Sequence, residues 1–186
     1  MPNKSLQADN LCGVCIVVSL PLNFTIMQTP HKLRLSEALA NKTGSMKYDD
    51  ASWHYGGDFS SGLEQEAGAT HIGMFVAWCL LNGFSGEIHT EDFPEGLEKL
   101  RNREQTPGQW FLEHCDEKFT DEDLNEQGND FAQHYYAGDG APYLIVYESI
   151  LGHEVSHLYA VPDTWESFDK LAQKIGNDYS EWETNG

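Results

Sequence analysis

Apolar positions are densest between residues 72 and 81, where Ile72, Met74, Phe75, Val76, Ala77, Trp78, Cys79, Leu80 and Leu81 leave no polar face. A helix that is apolar all round belongs at the centre of a fold. Thr70 can cap its start and Gly83 can end it, which predicts a helix over residues 70–81. A second strong pattern follows Val161-Pro162. There Trp165, Phe168, Leu171, Ala172, Ile175, Tyr179 and Trp182 recur every three or four residues and predict a long amphipathic helix, opened by a capping box at Asp163-Thr164-Trp165-Glu166.

Shorter elements are expected between the two. Asp92 and Pro94 can start a helix that presents Leu97 and Leu100. Thr106-Pro107-Gly108-Gln109 has capping-box spacing ahead of Trp110, Phe111 and Cys115. Thr120 precedes Asp121, Glu122 and Asp123, three acids where a helix dipole favours them. That helix is predicted to run to Gly138 with Leu124, Phe131 and Tyr135 inward. Asp139-Gly140-Ala141-Pro142 is a turn, and residues 143–151 read equally as helix or strand. Residues 47–66 form a loop-rich entry. The fold class is mainly α: a single compact helical domain with a loop-rich N-terminal entry and room for one short strand pair.

Charge divides the chain. Its 186 residues carry a net charge of -19, yet residues 1–45 hold four bases and two acids. The remainder therefore holds 28 acids and 7 bases, a net -21. Residues 1–45 read as a poorly ordered extension or an upstream leader, and residues 46–186 as the acidic helical domain, with Met46 opening the new composition. The apolar run 11–26 is broken by Ser19, Pro21 and Asn23, and is too short for a membrane helix. As an export signal it has a weak basic start and no nearby cleavage site. Asn23 and Asn41 match glycosylation acceptor patterns, relevant only to an exported chain.

An acidic domain of this kind excludes direct binding to a phosphate backbone or to an anionic membrane face. It suits a basic protein partner. Among the four cysteines, Cys12 and Cys15 have CxxC spacing but lack the second pair that a zinc ribbon needs, and Cys79 reads as core. Without a disulfide framework the expected location is the cytoplasm.

One literal catalytic motif occurs, His153-Glu154-Val155-Ser156-His157. On a helix, His153 and His157 share a face and can hold zinc, with Glu154 as general base and Glu166 or Asp169 as a third ligand. Gly152 directly before it and Pro162 soon after it oppose a continuous helix, so the motif reads as a helix end or loop. A zinc-dependent hydrolase is therefore the alternative rather than the leading reading. His54 and His71 could join a site, although glycines beside aromatics in the 53–58 segment point first to a tight packed turn. No phosphate-binding Gly loop and no nucleophile elbow are present.

The acids themselves are the other candidate. Glu113, Asp116, Glu117, Asp121, Glu122, Asp123 and Glu126 cluster in sequence, with Trp110 as an aromatic anchor. Such a surface can steer and hold a basic protein, while a charge run is otherwise a solvated helix face. The leading expectation is a non-enzymatic binding protein without a cofactor, using these residues.

Three blocks carry a resemblance: KYDDASWHYGGDF, GATHIGMFVAWCLLNG and VPDTWESFDKLAQKI. They are similar to an uncharacterised family of short acidic bacterial proteins. In that family the pattern begins at an initiator Met before Lys-Tyr-Asp-Asp, which implies a start at Met46. The segment matching residues 153–157 is not a metal motif there. Small acidic families of this kind resemble the immunity proteins that neutralise bacterial toxins.

Overall fold

The computed structural model describes residues 44–55 and 62–185. Residues 1–43, with the Cys12–Cys15 pair and the two acceptor asparagines, and Gly56–Asp58 lie outside the described residues. Among the described residues the regular structure is six α-helices, several short helical turns and one two-stranded antiparallel sheet. This is the mainly α architecture expected, strand pair included.

The chain enters through β1 (Lys47–Asp50), which pairs with β2 (Lys118–Thr120) in the register Lys47 to Thr120, Asp49 to Phe119 and Asp50 to Lys118. A bulge lies between Lys47 and Asp49. Such a bulge alters which side chains of a strand face inward. Asp49 is buried, and the Tyr48 ring packs 4.8 Å from that of Phe119. Asp50 then caps a short 3₁₀ turn, Ala51–His54, by accepting from Ser52 N at 3.0 Å.

The central helix α1 (Thr70–Leu81) has every residue from Thr70 to Leu80 buried, as its uniform apolarity requires. Thr70 is not its cap. A 3₁₀ turn, Gln65–Ala69, runs straight into α1, and no side-chain cap bond is made. Gly83, at φ +87°, follows its end. A π turn (Ile88–Asp92) leads to α2 (Pro94–Arg101), which buries Leu97 and Leu100. Helix α3 (Pro107–His114) crosses α1 closely: a Cβ on Gly73 would lie 2.5 Å from the Pro107 carbonyl oxygen.

The segment after β2 departs from the expected single helix. Thr120 and Asp123 close a 3₁₀ turn (Asp121–Asp123), Leu124 is extended, and Asn125 starts a new helix by accepting from Gly128 N at 2.9 Å. That helix, α4 (Glu126–Tyr135), buries Phe131 and Tyr135 as expected. Residues 143–151 resolve as helix α5 (Pro142–Leu151), with Tyr143 and Tyr147 inward. Helix α6 (Trp165–Asn185) buries Phe168, Leu171 and Ile175 along its stripe. The core between these helices is largely aromatic. Phe75 of α1 lies 4.9 Å from Tyr136, 5.0 Å from Tyr143 and 5.8 Å from Phe119, ring centroid to centroid.

Asp163 does not cap α6. Thr164 does, accepting from Ser167 N at 3.2 Å. The Asp163 carboxylate instead reaches the N-terminus of α3, accepting from Gly108 N at 2.9 Å and Gln109 N at 3.1 Å, and from the Thr106 hydroxyl. A carboxylate there satisfies orphan amides and complements the helix dipole. Gly108 leaves the necessary room, since a Cβ would sit 2.7 Å from Asp163 Oδ2. Asp163→Ala is expected to lower stability by about 1–2 kcal/mol. Asp163→Asn, keeping one acceptor, is expected to lose less. Urea unfolding checks both, and an unchanged midpoint for Asp163→Ala contradicts the cap.

Candidate functional site

All seven Lys and Arg from Lys47 onward are held in ion pairs with acids of the same domain: Lys47–Asp50, Lys99–Glu113, Arg101–Glu98, Arg103–Asp169, Lys118–Asp116, Lys170–Glu166 and Lys174–Asp178. Each of these cations is thus matched locally, and the acid excess is left without a Lys or Arg partner among the described residues.

The eight residues expected to face a partner divide sharply. Trp110 is fully buried and donates from Nε1 to the Gly96 carbonyl at 2.7 Å, so it is a core residue and not a surface anchor. Asp123 is also buried. It accepts from His89 Nε2 at 2.9 Å and from Thr120 N at 2.7 Å, and so holds a turn rather than facing solvent. Glu113 and Asp116 belong to the ion pairs above. Glu117 accepts from the Tyr55 hydroxyl at 3.3 Å, and burial, reinforced by this carboxylate, pushes the Tyr55 phenol up to about 12. Asp121 accepts from Met46 N at 2.8 Å and pins the entry to β1.

Glu122 and Glu126 remain. They line a groove of about 620 Å³ together with Glu87 and Asp92 from the π turn. All four are exposed, and Phe93, 52% exposed, follows Asp92 in the chain. The sequence pointed to Asp92 only as a helix start, whereas it ends the π turn and Phe93 stands at the N-cap of α2; neither it nor Glu87 was joined to residues 122–126, because nothing local connects them. The acids also do not share a helix face. They are spread over the end of α3, a left-handed turn at Asp116 and Glu117 (φ 48° and 64°), a 3₁₀ turn and the start of α4.

A second cluster forms around Asp49. Its Oδ1 accepts from His54 Nε2 at 2.9 Å and from Asp50 N at 2.8 Å, and its Oδ2 accepts from the Tyr136 hydroxyl at 2.5 Å. His71 Nε2 lies 3.7 Å from Oδ2, beyond hydrogen-bond length but within strong electrostatic contact. His54 uses its other nitrogen as well, with Nδ1 2.9 Å from the Tyr159 hydroxyl. The His54 and His71 rings meet edge to face at 4.5 Å. A cavity of about 320 Å³ opens beside them, lined by His54, His71, Leu144, Tyr147, His157, Leu158 and Tyr159. Asp49 was missed in the sequence. The acid pair before Trp53-His54 was its only local signal.

Burial alone would raise the Asp49 carboxyl. Hydrogen bonds from His54 and Tyr136, with the His71 ring close by, outweigh it and hold the group well below the usual carboxylate range. Burial pushes the His71 imidazole down, only partly opposed by Asp49, and so keeps it neutral. The Tyr136 phenol is pushed far up by burial and by Asp49.

The literal motif does not assemble as a helical zinc site. His153 and Glu154 sit in a 3₁₀ turn (Gly152–Glu154), whereas Val155 and His157 are extended. His153 lines a cavity of about 590 Å³ that includes Glu166, and His157 lines the other cavity with His54 and His71. Asp169, a proposed third ligand, is held by the Arg103 guanidinium at 2.9 and 2.6 Å. A third grouping, His89, Cys115 and Asp123, brings ligand-type atoms within 4.8 Å of one another in the interior. Burial and Asp123 together push the Cys115 thiol far up, so it stays protonated.

Fold and surfaces define a small acidic α-helical domain closed by a two-stranded clasp. The chain belongs to the family described as Domain of unknown function (DUF7832), which matches residues 47–161. The match stops short of α6. No curated protein and no solved structure matches the chain. No helix among the described residues is long and apolar enough to cross a membrane.

Protonation at the Asp49 cluster has a defined sign. An imidazole held neutral in the folded state takes up a proton on unfolding below about pH 6.5, and a carboxylate held ionised does so below about pH 4. Both contributions are full above those values and are lost as pH falls. The stability difference between the native chain and His71→Gln is therefore expected to shrink between pH 7.5 and pH 5, read from urea unfolding. General relief of acid repulsion is common to both chains and cancels. A difference that is flat or grows on acidification contradicts a neutral His71.

Proposed function

We propose that this is a non-enzymatic, immunity-like binding protein of the cytoplasm, whose acidic groove at Glu87, Asp92, Glu122 and Glu126 engages a basic protein partner. The observation that carries the reading is the complete internal pairing of the seven cations, which leaves a domain of net -21 with four uncompensated carboxylates around one groove. A lysine or arginine entering such a groove meets several carboxylates without displacing an existing partner. Complementary charge of this kind accelerates encounter and selects against acidic competitors. Phe93, exposed next to Asp92, supplies an apolar contact of the sort that slows dissociation.

The test is capture of partners from the native cell by the intact chain. Its comparison is a variant with Glu87→Gln, Asp92→Asn, Glu122→Gln and Glu126→Gln. A basic protein is expected, with affinity falling roughly tenfold or more when salt rises from about 50 to 300 mM. The quadruple variant is expected to lose it. An acidic partner, or binding that ignores both salt and the four substitutions, overturns the reading.

A further inference from the structure

We propose that Asp49, His54 and His71 form a binding site for one divalent first-row transition-metal ion of the zinc class, open to the cavity beside them. Two imidazoles and one carboxylate form a recurrent protein ligand set for such ions, and catalytic or exchangeable sites leave further positions free. Here the three donor atoms all lie within 4.8 Å of one another. Ligand bonds of about 2.0–2.2 Å place tetrahedral donors about 3.3–3.6 Å apart. The observed separations of 2.9 Å (His54 Nε2 to Asp49 Oδ1) and 3.7 Å (His71 Nε2 to Asp49 Oδ2) lie on either side of that spacing, so closure around an ion needs only small side-chain movements.

The surrounding groups are arranged as partners of ligands. Tyr136 holds Asp49 through Oδ2, and Tyr159 meets the second nitrogen of His54. When His54 Nε2 turns to the ion, the ring proton moves to Nδ1, which then donates to the Tyr159 hydroxyl, so the exchange needs no net proton. Such outer partners fix the tautomer and orientation of a ligating imidazole.

The cavity gives room for the remaining positions of the ion: it borders both His54 and His71, and Leu144, Tyr147 and Leu158 line the rest of its wall. The inference is independent of the acidic groove, which shares no residue with this cluster.

The full chain, stripped with chelator, is titrated with Zn(II) by calorimetry and with Co(II) by visible absorption. One equivalent is expected to bind at micromolar affinity or tighter. The cobalt spectrum is expected to show ligand-field bands without a sulfur-to-metal band. His54→Ala, with its fold checked by circular dichroism, is expected to weaken binding by about 100-fold, whereas His153→Ala and Cys115→Ser change it little. Absence of a stoichiometric ion overturns the proposal. So does affinity indifferent to His54→Ala, loss on Cys115→Ser or His153→Ala, or a sulfur-to-cobalt band from a thiolate site. The cobalt spectrum decides the matter without a variant if His54→Ala fails to fold.

Discussion

Burying the Asp49 carboxylate obliges the elements around it to supply donors, because an uncompensated charge inside a protein costs several kcal/mol. The donors come from three places, the next backbone amide, the 3₁₀ turn at His54 and the end of α4 at Tyr136, while His71 of the central helix lies 3.7 Å away. The most distant donor, Tyr136, lies 87 residues from Asp49 in sequence. A short strand of modest apolarity is thereby locked onto the aromatic core, with Phe119 across the sheet and Phe75 beneath it. The same demand brings two histidines face to edge at the mouth of a cavity, so a feature that secures the entry strand also creates the most chemically distinctive place in the domain.

The acids serve two different ends. One set is structural: Asp50 caps a turn, Asp121 pins the strand entry, Asp123 holds Thr120 and His89, and Asp163 reaches across from the turn before α6 to the start of α3. Carboxylates suit this work, since they accept several amide hydrogens and complement helix N-termini. The other set faces outward. With every Lys and Arg among the described residues committed to a near neighbour, its field is not cancelled by them, and the groove between the π turn and α4 concentrates part of it. Net charge alone does not separate these sets; burial and hydrogen bonding do.

Much of the fold was legible because it is local. The apolar run of α1, the stripe of α6 and the pair Leu97 and Leu100 declare themselves through periodicity. The misreadings share one cause, that neighbours in sequence were taken for neighbours in space. Trp110 stands among acids along the chain but points inward from a short helix, and Asp123 closes a turn instead of extending a helical face. The groove joins residues 87–92 to 122–126, and the Asp49 cluster joins residues 49, 54, 71 and 136; no local pattern encodes either. The two histidines of the 153–157 motif show the converse. Their spacing suggested one site, and a change of backbone conformation after Glu154 sends them to different cavities.

The central claim is that Asp49 is an ionised hub satisfied from several elements, and carbon-13 NMR titration of the aspartate side-chain carboxyls tests it most directly. Exposed carboxylates titrate around pH 4. The Asp49 resonance is predicted to keep the shift of the ionised form down to about pH 3, after most other side-chain carboxyls have titrated, provided the fold persists there by amide spectra. An Asp49 resonance that titrates together with the exposed acids, or above them, contradicts the hub.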